Sequence, residues 1–117
     1  MSGTFTDIYD LIVTTLADAG LPVLDDSRAV RPPCIIVEPP TAVQVPNAST
    51  VTLEYPVIIC APPPGNRDSA IYLMNMADRV IDLLEGSFEA RPTVYNAGTQ
   101  ELPAYQVTIR LTAIRSN

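Results

Sequence analysis

The chain has no histidine, no lysine and no tryptophan, and only two cysteines in 117 residues. Without histidine it lacks the commonest general base and the commonest metal ligand. Without lysine its positive charge rests on seven arginines, set against 13 acids for a net charge of −6. That balance argues against holding nucleic acid by neutralising phosphates, which needs clustered basic residues. Cys34 and Cys60 each sit in an apolar run, "PPCIIVE" and "VIICAPPP", outside any CxxC or Cys/His cluster, so zinc is not expected. They read as buried thiols acting as small hydrophobes. The alternative is a disulfide between neighbouring strands, which requires Cα atoms within about 7 Å. Long apolar runs are missing too: none approaches the ~18 residues of a membrane span. The start, "MSGTFTDIYD", has neither the basic region nor the apolar core of a signal peptide. The expectation is a soluble protein made in the cytosol, with no membrane partner.

Charge of either sign is scarce, at 17% of residues against 47% apolar, which excludes a disordered chain. Some surface is therefore uncharged and polar, or is covered by a partner; the second reading is favoured. The length fits a single domain over residues 1–117, burying roughly two-thirds of its unfolded surface.

Proline is what the chain has in abundance, and its 12 copies punctuate the pattern. Residues 4–19 set Ile8, Leu11, Ile12, Leu16 and Ala19 at helical spacing, with acids early and Gly20 as the stop. "LPVLDD" reads as a short strand or extended exit. "PPCIIVEPP" is a strand fenced by proline at both ends, and "TAVQVPNAS" a loop or ragged hairpin extension. Residues 49–61 alternate Val51, Leu53, Tyr55, Val57 and Ile59 against polar neighbours, then turn apolar on both faces. Pro56 argues for an edge or a bulge there. A second helix spans 67–85 with a broad apolar set of Ile71, Leu73, Met74, Ala77, Val80, Ile81 and Leu84, and Gly86 as its stop. A strand at 91–95, a turn at 96–99 and a long strand from about 104 to 115 complete the chain. The order predicts an α+β domain: a mixed, mostly antiparallel sheet of about four to five strands with two helices packed on one face.

The stretch "CAPPPGNRDSA" has the strand–loop–helix layout of a phosphate-binding loop, but not its chemistry. Such a loop needs GxxxxGK[ST] and backbone donors; here Gly65 stands alone and Pro62, Pro63 and Pro64 supply no N–H. The prolines stop a strand, and Asn66 or Asp68 caps the helix. Asp25–Asp26 reads as a solvated turn rather than a metal or acid/base pair. Asp78 and Asp82 read as an exposed helix face, and Tyr95 and Tyr105 as cross-strand packing. No catalytic residue, cofactor or metal ligand is assigned, and the chain is not expected to be an enzyme. The competing reading from another class is a small cytosolic ligand-binding domain using Asp25, Asp26 or Arg67.

The sheet face opposite the helices carries Thr50, Thr52 and Glu54 on one strand and Gln106, Thr108, Arg110 and Thr112 on another. If these strands pair, Glu54 and Arg110 can meet across them. Short hydroxyl side chains let another surface approach and leave few charges to desolvate. Interface candidates are Thr52, Glu54, Thr108, Arg110 and Thr112, with Arg67 at the second helix start and Val43 and Val45 in the proline-bounded segment. The segments 41–49 and 96–103 are further candidate partner contacts.

The layout as a whole resembles the tail terminator proteins of long-tailed phages and the related head–tail joining proteins. The resemblance rests on "FTDIYDLIVTTLADAGLPV", "RPPCIIVEPP", "TVTLEYPVIICAPPPGNRDSAIYLMNMADRVIDLLEG" and "AYQVTIRLTAIR". It implies a virion subunit, assembled in the host cytoplasm into a hexameric ring, that caps the tail tube and offers a surface for head joining. The implied partners are further copies of itself, the tail tube protein and the head–neck connector protein, with DNA passing through the lumen unbound. A connector or stopper of the neck is the alternative within the same class.

Overall fold

The computed structural model describes residues 4–24, 32–47, 50–62, 66–84, 86–98 and 100–114. Helix α1 (Thr4–Asp18) ends in a Schellman motif. Leu21 N–H reaches the Leu16 carbonyl (3.2 Å) and Gly20 N–H the Ala17 carbonyl (3.0 Å), with Gly20 at φ 84°. Leu16 and Leu21, the apolar pair that accompanies such a stop, are both buried. Helix α2 (Arg67–Leu83) begins at Asn66, whose side chain accepts from Ser69 N–H at 3.0 Å. It leaves helical geometry at Leu84, before Gly86.

Five strands form one sheet: β1 (Cys34–Val37), β2 (Thr41–Asn47), β3 (Thr50–Cys60), β4 (Ser87–Ala97) and β5 (Gln100–Ile114). The order is β1-β3-β5-β4, and β2 also pairs with β3. All strand pairs are antiparallel, and the parallel element is an isolated bridge, Val23 to Ile35. β1 and β2 lie end to end along one flank of β3, β1 against Val57–Cys60 and β2 against Thr50–Glu54 with shifts in register. The chain thus folds as two hairpins joined by α2 and zipped along β3 and β5. The α+β expectation, with both helices on one face, is what the structure has.

The core lies between that face and the helices. Val51, Leu53, Tyr55, Val57 and Ile59 of β3 and Val107 and Ile109 of β5 meet Ile12 and Leu16 of α1 and Leu73, Met76, Ala77 and Val80 of α2. Each aliphatic side chain fully buried this way contributes roughly 1.5–3 kcal/mol. Two phenols pin α1 to the sheet: Tyr55 donates to the Phe5 carbonyl (3.0 Å) and Tyr9 to the Val37 carbonyl (3.1 Å). Arg79 donates to the Ala19 carbonyl (3.3 Å), holding α2 to the negative end of α1.

Several local expectations are corrected. Pro56 lies in the middle of the sheet. Its carbonyl accepts Glu38 N–H, so its donorless side faces the 38–40 junction where β1 stops and β2 starts. The missing donor therefore falls opposite Glu38, just past the end of β1, and the pairing with β5 loses no bond. Of the two readings of 41–47, the ragged hairpin extension holds and the loop does not; β4 runs longer than 91–95, and β5 begins at Gln100, so only the tip of the 96–103 segment is a turn. The buried stripe of α2 includes Met76, while Ile71 and Met74 stay exposed, as does Leu11 of α1.

Candidate interaction surfaces

Because side chains alternate along a strand, the register of β3 against β5 decides what the outer sheet face presents. Thr52 faces Thr112, Glu54 faces Arg110, and Pro56 faces Thr108. The structure therefore brings together the five sheet residues singled out from the sequence. Arg110 donates through Nε (3.2 Å) and Nη2 (2.8 Å) to the same oxygen, Oε2, of Glu54. The Thr52 and Thr112 hydroxyls are 3.0 Å apart, and Gln106 donates to the Thr108 hydroxyl at 3.1 Å. The Arg110 side chain is 54% exposed, so the ion pair contributes only about 0.2–1 kcal/mol. Its larger effect is to present both charges already compensated.

Two residues of this face escaped sequence reasoning. Glu89 and Arg91 of β4 stand beside Thr108 and Gln106. With Thr41, Glu54 and Pro56 they line a shallow polar hollow of about 240 Å³. Two glutamates and two arginines, Glu54, Glu89, Arg91 and Arg110, leave the patch neutral. The helices differ: exposed Asp7, Asp10, Asp18, Asp68, Asp78 and Asp82 against Arg67 and Arg79 give a net charge of −4. The alternation visible in "SFEARPTV" is the signal that could have placed Glu89 and Arg91.

The remaining candidates lie elsewhere. Arg67 is exposed at the first turn of α2, in the helical layer and apart from the sheet patch. Val43 and Val45 belong to β2 on the sheet's flank. Asp25–Asp26 and the Pro63–Gly65 portion of the proline loop lie outside the described residues.

A second surface was not anticipated. Ile8 and Leu11 of α1, Leu83 and Leu84 at the end of α2, and Leu111 of β5 line a groove of about 730 Å³. Leu11 is 64% exposed there. The sequence held a signal: α1 carries Phe5, Ile8, Tyr9, Leu11, Ile12, Val13 and Leu16, more apolar residues than one buried stripe uses. Gly86 also lines the groove, and a Cβ at its φ of 133° would sit 2.8 Å from the Arg110 carbonyl oxygen. At the other end of β5, the β4–β5 hairpin runs past the last β3 pair, Cys60 with Ala104, and exposes Val94. The molecule measures 46 × 25 × 25 Å.

Among the described residues no group of three or more His, Cys, Asp or Glu is placed to hold a metal ion, and no helix is long and apolar enough to cross a membrane. The shifted ionisations there belong to packed groups: burial pushes the Tyr55 phenol and the Cys60 thiol each up to about 12, and raises Tyr72 and Tyr95. Compared with known proteins, the chain matches no protein-family model and no curated protein.

Proposed function

We propose that this chain is a structural subunit of a phage tail or neck, assembling head to tail into a ring that closes the tail tube and offers a surface for head joining. One observation carries the reading: the molecule presents two unlike surfaces, a neutral hydroxyl-rich patch on the outer sheet face and a largely apolar groove between the helices and β5, which border one another at Arg110 and Thr112. Contacts between unlike surfaces are heterologous, and heterologous contacts close into rings when the rotation allows. The acidic helical layer suits a wall past which DNA slides, because like charge repels the phosphate backbone. The pattern resemblance to tail terminators supplies the identity of the ring, and the two surfaces supply a means of building it.

The test is electron microscopy of the concentrated protein, alone and mixed with isolated tail tubes or DNA-filled heads. Rings alone or at tube ends are expected. Decoration of filled heads with bare tubes would move the protein to the neck connector reading. Absence of rings and of binding in every mixture would remove the proposal.

A further inference from the structure

Cys34 and Cys60 stand directly opposite one another across β1 and β3. The backbone bonds tell which kind of pair they make. Ile35 exchanges its bonds with Pro22 and Leu24, facing away from β3, so Cys34 faces toward it. Ala61 N–H reaches Pro103 on the β5 side, so Cys60 faces β1. Cys34 and Cys60 are thus a hydrogen-bonded antiparallel pair, for which strand geometry sets the Cα atoms about 5.5 Å apart. A disulfide takes Cα separations of roughly 4.4–6.8 Å and Cβ separations of roughly 3.5–4.5 Å, so closing the bond draws the two Cβ atoms in from the wider spacing of a hydrogen-bonded pair and leaves it strained. Both side chains project to the face opposite the helices, where they cluster with Ile36, Ile58, Leu102 and Ala104. In the structure both are thiols.

We propose that Cys34 and Cys60 are a latent cross-strand redox pair, which a small disulfide oxidant converts into an intrachain bond fastening β1 to β3. The step is two exchanges. One cysteine thiolate attacks a sulfur of an oxidant such as oxidised glutathione, breaking its S–S bond and releasing one glutathione thiolate, which takes up a proton. The second cysteine, losing its proton, attacks the mixed disulfide and releases the other. Two protein thiols are oxidised and one disulfide is reduced to two thiols.

The fold also restrains the reaction. Cys34 and Cys60 are 1% and 0% exposed, beneath Leu24 and Tyr95. Burial and a hydrogen bond with Cys34 hold the Cys60 thiol up to about 12, so little thiolate is available in the closed fold. Exchange therefore waits on opening of β1, a four-residue strand whose outer side is held through Pro22 to Leu24. The inference is independent of ring assembly.

The test uses the full chain, purified reduced and exposed to oxidised glutathione in two arms: folded throughout, and unfolded in denaturant then refolded. Samples are alkylated under denaturing conditions and weighed whole and as peptides. The expected product is lighter by two hydrogens, links the Cys34 and Cys60 peptides, and forms in a fraction independent of protein concentration. Its thermal midpoint should lie above that of the reduced chain, by less than the roughly 10 °C that unstrained loop closure would give. The folded arm should reach it at least roughly ten-fold more slowly. If refolding fails, prolonged exposure of the folded arm decides. Thiols that stay alkylatable or end as glutathione adducts, links only between chains, or a linked chain melting below the reduced one would overturn the proposal.

Discussion

The outer face of the sheet is treated differently at its two ends, although β3 and β5 run through both. Toward Cys60 and Leu102 it is dry: Cys34, Ile36, Ile58, Cys60, Leu102 and Ala104 are all buried. Toward Thr52 and Thr112 it is wet and charge-compensated. On the inner face β3 and β5 pack against the helices, so the contrast arises on one side only. Burial on both faces turns the dry end into core, while the wet end offers short side chains and no net charge. Stability is therefore concentrated at one end of β3, and the surface suited to a partner lies at the other.

The strongest way to break the contrast is to strip the dry end. Ile58→Ala, at a position 6% exposed, should cost about 3 kcal/mol in urea unfolding, with the m-value unchanged. Next is the close approach beside the groove. Gly86→Ala places a Cβ against the Arg110 carbonyl in a left-handed conformation, and should cost about 2 kcal/mol on the same scale.

Alkali should sharpen the comparison through the buried acids. The folded values of Cys60 and Tyr55, about 12, stand above ordinary values of 9.0 and 10.0. Between each pair of values the unfolded chain has released a proton that the folded one retains, so stability falls as pH rises there. The urea midpoint should hold below pH 9 and decline progressively toward pH 12; a midpoint that rises over that window would refute the assignment. The smallest effect belongs to the wet end. A double-mutant cycle of Glu54→Gln with Arg110→Gln should give a coupling of about 0.5 kcal/mol that fades in high salt.

Much of this architecture could be read from the sequence because one period was clean. The alternation of Val51 to Ile59 and of Tyr105 to Leu111 fixed which face each residue takes, and so brought Glu54 to Arg110 once the strands paired. Gly20 marked the end of α1 for the same physical reason that it ends there. What escaped was set by partners distant in sequence. Pro56 is tolerated in a central strand only because β1 gives way to β2 beside it, which no local window contains. β2, "TAVQVPN", pairs across register shifts and lacks even alternation, and β4 was entered too late to include Glu89, with Arg91 at its expected first position. Leu11 shows the limit of helical spacing: apolar residues on a flank satisfy the period whether or not anything covers them.

The central claim is that the chain works by assembling through its surfaces, and sedimentation velocity across concentration tests it most directly, on the wild type beside Leu11→Asp. The account predicts that the wild type moves from the 12.6 kDa single chain toward one closed oligomer as concentration rises. The folded Leu11→Asp variant should remain a single chain under the same conditions, because its groove then holds a charge that a contact must desolvate. A wild type that stays at the mass of one chain throughout, or a variant that assembles as readily as the wild type, would contradict it.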